Sequence, residues 1–470
     1  MFAQIDKIIT AIDNAVWGLP LICLIMATGI FLTARLGLVQ IRHLGKAFKF
    51  MFKDEEDGSG EVTSFGALCT ALSATIGTGN ITGVATAIAL GGPGALFWMV
   101  IAAFFGMATK YAEGLLAIKY RTIDEDGHVL GGPFYYIENG MGKKWTWLAK
   151  IFAFFGAGVG LFGIGTFTQV NSIASAVKNF FDPDMAHTVS LFGGNYSWAT
   201  VIAGLFLTVC VGLVVLGGIQ RIAKVSEIIV PFMAVLYVGL AVIIIIANIT
   251  AVPVALASIV KSAFTGSALA GGAVGSMFVA MQKGVARGIF SNESGLGSAP
   301  IAAAAARTKE PVRQGLVSMT GTFIDTIVIC TMTGLSIVIA GSWLNPELEG
   351  VAITMDAFQK GLPFPSFVAT FSLMLCLVFF AFTTILGWNY YGERCVEYLF
   401  NRNKGVVMGY RILYILAVFI GPYMTVKAVW NIADIFNALM AFPNLIALLA
   451  LNGVIVKETR DFHAKHNGSY

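Results

Sequence analysis

Charge is scarce in this chain: Asp, Glu, Lys and Arg make up 12% of its 470 residues, against 57% hydrophobic ones. Soluble domains carry roughly twice that charged fraction, so a water-facing surface over the whole chain is excluded. The apolar residues fall in blocks, and many blocks reach the ~20 residues needed to cross a bilayer as a helix. The net charge of +4 is no nucleic-acid signal, because in membrane proteins Lys and Arg concentrate on cytoplasmic loops. Cysteine is sparse too. Cys23, Cys69, Cys210, Cys330, Cys376 and Cys395 lie in or beside apolar blocks with no CxxC spacing. That excludes a disulfide framework or zinc site and leaves them as small hydrophobes. The five histidines (His43, His128, His187, His463, His466) all lie in loops or tails, so an intramembrane metalloenzyme finds no ligand cluster. The first apolar block starts near Val16 after Asp6 and Asp13 and lacks a basic n-region. It reads as a retained helix, not a cleaved signal.

Eleven spans are expected, near 16–34, 64–90, 93–118, 147–177, 196–218, 222–249, 270–306, 314–341, 365–392, 406–424 and 428–453. The block at 270–306 exceeds a straight crossing of a ~30 Å core at ~1.5 Å per residue, so it is broken or partly outside. With eleven spans, one set of loops collects most of the Lys and Arg, while the other holds Lys7, Lys178, Lys261, Lys360 and Lys427. This bias predicts an outside N-terminus and a cytoplasmic C-terminus in the cell membrane. The loops at 35–62 and 119–146 are then cytoplasmic, with Asp54 to Asp57 as a solvated tip. Gly131-Gly132-Pro133 before Phe134-Tyr135-Tyr136 reads as an interfacial turn with an aromatic anchor.

Two spans carry small and polar residues where the bilayer is most apolar. The second contains Thr75-Ile76-Gly77-Thr78-Gly79-Asn80-Ile81-Thr82-Gly83. Gly weakens a helix, and Asn and Thr compete for its backbone hydrogen bonds. Irregular backbone at that depth is tolerated only when buried or lining a cavity, and transporters aim half-helix termini at ligands there. The alternative is a packing face, since Gly79 and Gly83 form a GxxxG, but that leaves Gly77 and Asn80 without a role. The seventh span holds Ser291-Asn292-Glu293-Ser294-Gly295-Leu296-Gly297-Ser298, roughly 14 Å from Arg307 by helical rise. A second candidate break lies at Gly271-Gly272 and Gly275-Ser276. With the first, Lys283 and Arg287 need water or an acid such as Glu293.

Breaks five helices apart imply two five-helix groups of opposite orientation, the inverted repeat of many secondary transporters. The expected architecture is an all-α integral membrane protein. Residues 1–63 form an N-terminal helix and loop, 64–250 the first repeat, 251–453 the second, and 454–470 a cytoplasmic tail.

The sequence resembles the alanine or glycine:cation symporter family, which has the LeuT-like fold. The similarity lies in Gly91-Gly92-Pro93-Gly94-Ala95-Leu96-Phe97-Trp98-Met99 through Gly106, with Val100 where the family usually has Trp. Gly288-Ile289-Phe290-Ser291-Asn292-Glu293, Gly297-Ser298-Ala299-Pro300 and Thr383-Thr384-Ile385-Leu386-Gly387-Trp388 share it. The resemblance covers almost the whole chain and implies Na⁺-coupled uptake of alanine or glycine in bacteria and archaea. It implies that Thr78 and Gly79 amides, in a break similar to GxGN and closed by Asn80, hold a substrate carboxylate. Carbonyls around Gly295 and Gly297 would take the ammonium. It makes Phe167 and Gln169 substrate contacts, although an interhelical hydrogen bond fits Gln169 equally. It assigns sodium to the Thr383 and Thr384 hydroxyls with the Ser73, Ile76 and Phe380 carbonyls, whereas capping of i−4 carbonyls is the plain alternative.

Trp388, four residues after Thr384, shares its helix face. It either limits the pocket to small side chains or anchors at the interface. Asp325, Glu113 with Lys110, Glu227 and Asp434 are the remaining charges in or near spans. Lys110 and Glu113 are expected to pair or face the inner interface, and Asp325 is a candidate second ion site. The partners implied are a small amino acid and the lipid bilayer. Rival readings are a proton-coupled or exchanger-type transporter, a membrane enzyme and a channel.

Overall fold

Apolar blocks without water to satisfy their peptide groups must pair those groups internally, and helices do this within one segment. The computed structural model describes residues 16, 18–53, 58–191, 194–265, 273–424 and 426–466. Its helices are α1 (Leu19–Arg35), α2 (Leu44–Met51), α3 (Ser64–Thr75), α4 (Val84–Gly91), α5 (Gly94–Lys119), α6 (Thr146–Phe162) and α7 (Phe167–Phe181). There follow α8 (Trp198–Val215), α9 (Gly218–Ala247), α10 (Val252–Phe264), α11 (Ala273–Asn292), α12 (Ala299–Ala303), α13 (Pro311–Thr322) and α14 (Thr331–Ala340). The last are α15 (Val351–Gly361), α16 (Ser366–Leu399), α17 (Lys404–Ile420), α18 (Val426–Ala450) and α19 (Asn452–His466). Short hairpins, Thr122–Ile123 with Val129–Leu130 and Thr188–Leu191 with Gly194–Ser197, join helices outside the core.

Local chemistry sets the starts. Thr63, Ser197 and Asn403 accept amides of the first turns of α3, α8 and α17 through their side chains, the usual N-cap bond. Among the described residues, eight helical stretches are long and apolar enough to cross a membrane: Gly94–Lys119, Lys143–Phe181, Trp198–Val215, Gly218–Ala247, Pro311–Ala340, Ser366–Leu399, Lys404–Tyr423 and Ala433–Ala450. The expected spans near 16–34, 64–90 and 270–306 correspond to α1 and to two interrupted helices built from shorter pieces.

Helices α5 and α16 form the centre. Helix α5 packs on α13, α11 and α1; α16 packs on α6, α7, α9 and α3. The perimeter stays apolar: Ile202, Phe206 and Val209 of α8 and Ile228, Phe232 and Val235 of α9 are exposed. An apolar perimeter of this kind suits hydrocarbon.

Four expectations change in detail. The span near 147–177 is not continuous, because Gly163 to Thr166 separate α6 from α7. The Phe134 and Tyr136 side chains are not interfacial anchors. Both are buried, the Tyr136 hydroxyl bonds Asn444 and Phe134 stacks on Tyr398, because Gly132 at φ +119° turns the segment inward. Val252–Phe264 and Val351–Gly361 are additional helices flanking the membrane spans. Of the alternative seventh-span break, Gly271-Gly272 lies outside the described residues, while Gly275 and Ser276 belong to the α11 backbone. The acidic tip, Asp54 to Asp57, also lies outside the described residues.

Candidate substrate and ion site

Helix α3 ends because Ile76 is extended (φ −77°, ψ 95°). Its successor Gly77 donates its amide to Asn80 Oδ1 at 2.9 Å, and the chain resumes as a π-helical turn over Gly79–Gly83. Asn80 also reaches outward: its Nδ2 donates to Asp325 Oδ1 at 2.7 Å and to the Asp325 carbonyl at 3.1 Å. Asp325 belongs to a second π-helical stretch, Phe323–Cys330, between α13 and α14. The Thr78 amide donates to Gln169 Oε1 at 3.1 Å, and Gln169 Nε2 donates to the Ile164 carbonyl at 3.0 Å. Gln169 thus ties the α6–α7 break to the α3–α4 break. Gly79 faces the other interrupted helix, and a Cβ there would stand 3.1 Å from Ser291 Cα.

The second break runs from Glu293 to Ser298. Glu293, Gly295 and Gly297 have φ of 57°, 90° and 81°, values that Gly tolerates freely and other residues adopt at a cost. The freed backbone groups find partners from elsewhere in the chain. Glu113 Oε1 accepts the Gly295 and Gly297 amides at 3.1 and 3.2 Å, and Asn444 Nδ2 at 2.7 Å. Asn444 Nδ2 also donates to the Gly295 carbonyl at 3.0 Å. Glu293 is wholly buried; it accepts the Trp388 indole N–H at 2.9 Å and the Ser298 hydroxyl.

The ion ligands assigned by resemblance cluster where α3 meets α16. The Thr384 hydroxyl stands 3.2 Å from the Ile76 carbonyl and 3.0 Å from that of Phe380. Thr383 lies 3.1 and 3.0 Å from the Phe379 and Phe380 carbonyls, with Met233 Sδ of α9 at 3.6 Å. Ser73 lies alongside: a Cβ at Gly387 would come within 2.8 Å of its hydroxyl. Thr384 bridges to the Ile76 carbonyl at the end of α3, which carbonyl capping within one helix does not require. Thr383 donates only within its own helix, apart from the sulfur.

Thr78, Gly79, Asn80 and Gln169 therefore stand in one network, Gly295 and Gly297 in the adjoining one, and Trp388 touches the second through Glu293. Phe167 stands apart, packed on Ala417, Leu161 and Met424. The charges rearrange what sequence suggested. Glu113 turns to the second break and forms no ion pair with Lys110, whose buried ammonium has no hydrogen-bond partner among the described residues. Arg287 pairs with Asp434 at 3.2 Å rather than Glu293. Asp325 Oδ2 accepts the Ser291 and Thr326 hydroxyls at 2.9 and 2.6 Å. Thr326 and Asn444 went unmarked in sequence, and Ser291 was marked only as part of the second break. A lone Asn beside Pro443 within an apolar stretch was the signal available for Asn444.

A bundle of long apolar helices whose interrupted segments meet in a buried polar centre fits a multi-pass membrane transporter. The chain matches the model of the sodium:alanine symporter family over residues 2–469 and belongs to that family. It is 55% identical to an uncharacterized transporter of Haemophilus influenzae, covering 97% of this chain and 96% of that one. It is 48% identical to the sodium/alanine symporter AgcS of Methanococcus maripaludis, with 97% of each covered. It is 39% identical to the probable sodium/glutamine symporter GlnT of Bacillus subtilis, covering 97% and 91%. Membership makes sodium the coupling ion.

Proposed function

We propose that this protein carries alanine or glycine across the cell membrane together with sodium, by alternating access between its two interrupted helices. The observation that supports this most is the junction of Thr384 with the Ile76 carbonyl, beside Gly77 and the Gln169 side chain that holds the Thr78 amide. A cation bound by the Thr383 and Thr384 oxygens with the Ser73, Ile76 and Phe380 carbonyls would fix the geometry of the first break. On this reading the substrate carboxylate takes the place of Gln169 Oε1 on the Thr78 amide, and its ammonium takes the place of Asn444 Nδ2 on the carbonyls around Gly295 and Gly297. Sodium entry from outside would then close the outer path over the substrate, and inward rocking would release both. Eleven crossings, as one helix plus two inverted five-helix repeats, suit this reading, with the N-terminus outside.

Within it, Asp325 takes a second cation. Its carboxylate meets the Ser291 and Thr326 hydroxyl oxygens at one buried point, held there by the Asn80 Nδ2 donor, and such oxygens are the ligands hard cations need. The test is uptake of labelled alanine and glycine into proteoliposomes with and without an inward sodium gradient. Uptake that follows sodium is expected. Uptake indifferent to sodium but driven by a proton gradient would favour the proton-coupled reading.

A further inference from the structure

A groove of about 680 Å³ opens on the apolar perimeter between α7, α8, α9 and α16. Along α8 it runs from Trp198 through Ile202 and Phe206 to Cys210. Twelve residues of helix rise roughly 18 Å, close to one leaflet of a ~30 Å hydrocarbon core. One end is marked as the interface: Trp198 directly follows the polar Gly194–Ser197 strand, and Asp182 and His187 stand at that end. Trp favours that depth. The remaining lining is apolar, and its volume suits one small apolar ligand. The groove is continuous with the exposed apolar faces of α8 and α9, so its occupant comes from the bilayer itself.

The α16 wall is Val378, Phe379 and Phe382. Phe379 supplies the carbonyl 3.1 Å from the Thr383 hydroxyl, and Phe382 is the residue before it. We propose that the groove holds one acyl chain of a phospholipid, and that this chain, by packing on Phe379 and Phe382, sets the position of the Thr383 segment. The second half rests on the sodium reading of that segment; the first half does not. Ordered packing against the aromatic wall restricts α16 to one position, because packed interfaces resist continuous deformation.

The first test is photo-crosslinking in vesicles doped with phosphatidylcholine carrying a diazirine along its acyl chain. Adducts are expected on Phe206, Cys210 and Phe382 in preference to Leu205 and Leu213, which are exposed on the same α8 but do not line the groove. Even labelling around α8 overturns the site. Ala203→Trp fills the groove from a half-buried lining position, and Ala203→Leu guards against a folding defect. Loss of the groove adducts in a folded Ala203→Trp protein supports the assignment, and their persistence overturns it. The coupling is read separately: the sodium concentration for half-maximal uptake is expected to shift at least threefold in Ala203→Trp. An unshifted value with lost adducts overturns the coupling while leaving the lipid site standing. Sodium-independent uptake in the parent protein would sink the sodium reading instead.

Discussion

Thr384 is the side chain on which the ion reading turns, because its hydroxyl reaches out of α16 to the Ile76 carbonyl in the first break. Thr384→Ala removes that oxygen without adding bulk. The sodium concentration for half-maximal uptake is expected to rise at least tenfold, about 1.4 kcal/mol of lost ion binding. Uptake at varied sodium, with protein levels matched, reads it, and an unchanged sodium curve removes Thr384 from the site. Trp388 is the complementary case. Its spacing from Thr384 was legible as a shared helix face, but its partner was not, since Glu293 lies 95 residues away. The buried indole excludes the interfacial role. Trp388→Ala leaves a cavity and an unsatisfied Glu293 oxygen. It is expected to weaken alanine binding and admit serine, valine and leucine as competitors. Competition assays that give wild-type selectivity would place the ring outside the pocket. Asp325 and Glu113 stood out in sequence as intramembrane acids, yet their partners could not be read there. Each gathers donors contributed by helices far away in the chain.

At the scale of elements, both breaks were legible because Gly, Ser, Asn and Thr crowd a bilayer-deep stretch. The Gly163 to Thr166 break was not, since its glycines continue the small-residue pattern of Gly156, Gly158 and Gly160. Only the bond from Gln169 to Thr78 shows what that third interruption serves. Asn80 holds the first break by closing the Gly77 turn and gripping Asp325. Asn80→Ala frees both and favours a continuous helix. Transport is expected to fall at least a hundredfold with insertion intact, as measured by uptake normalised to surface-labelled protein; normal transport would return the motif to a packing role. Glu113 holds the second break. Glu113→Ala strands the Gly295 and Gly297 amides in a site with no water-exposed face, at roughly 1–3 kcal/mol for each unsatisfied donor. A loss on the order of 3 kcal/mol is expected, seen as a lower thermal midpoint in detergent. Glu113→Gln, which keeps an accepting oxygen, is expected to recover most of it. Equal losses in both variants would shift the explanation from hydrogen bonding to charge.

For the whole molecule, the apolar blocks made the bundle legible, but nothing in the spacing of the loop charges showed which helix ends they tie together. Glu61, three residues before α3, accepts the Val129 amide at 2.6 Å and meets His128 Nδ1 at 3.0 Å. His128 Nε2 lies 3.5 Å from Glu397 at the end of α16, and Arg394 joins Glu397 at 2.8 Å and Glu61 at 3.5 Å. One cluster therefore fastens the entry to α3 to the exit of α16, the two helices that meet at Thr384. The carboxylates of Glu397 and Glu61 hold the His128 imidazolium up to about 9, against the opposing pull of burial and Arg394. A pKa raised on folding adds stability that is fully present below the unfolded value, ~6.5. That stability is lost as pH climbs through about 9. Between pH 6.5 and 9.5 the thermal midpoint of the purified protein is expected to fall. In His128→Gln, which keeps hydrogen bonding but cannot charge, the midpoint is expected to start lower and to change less over the same window. The difference between the two curves isolates His128 from the other groups of the chain. Parallel curves would mean that the imidazole is neutral in the cluster and that Arg394 alone links its two carboxylates.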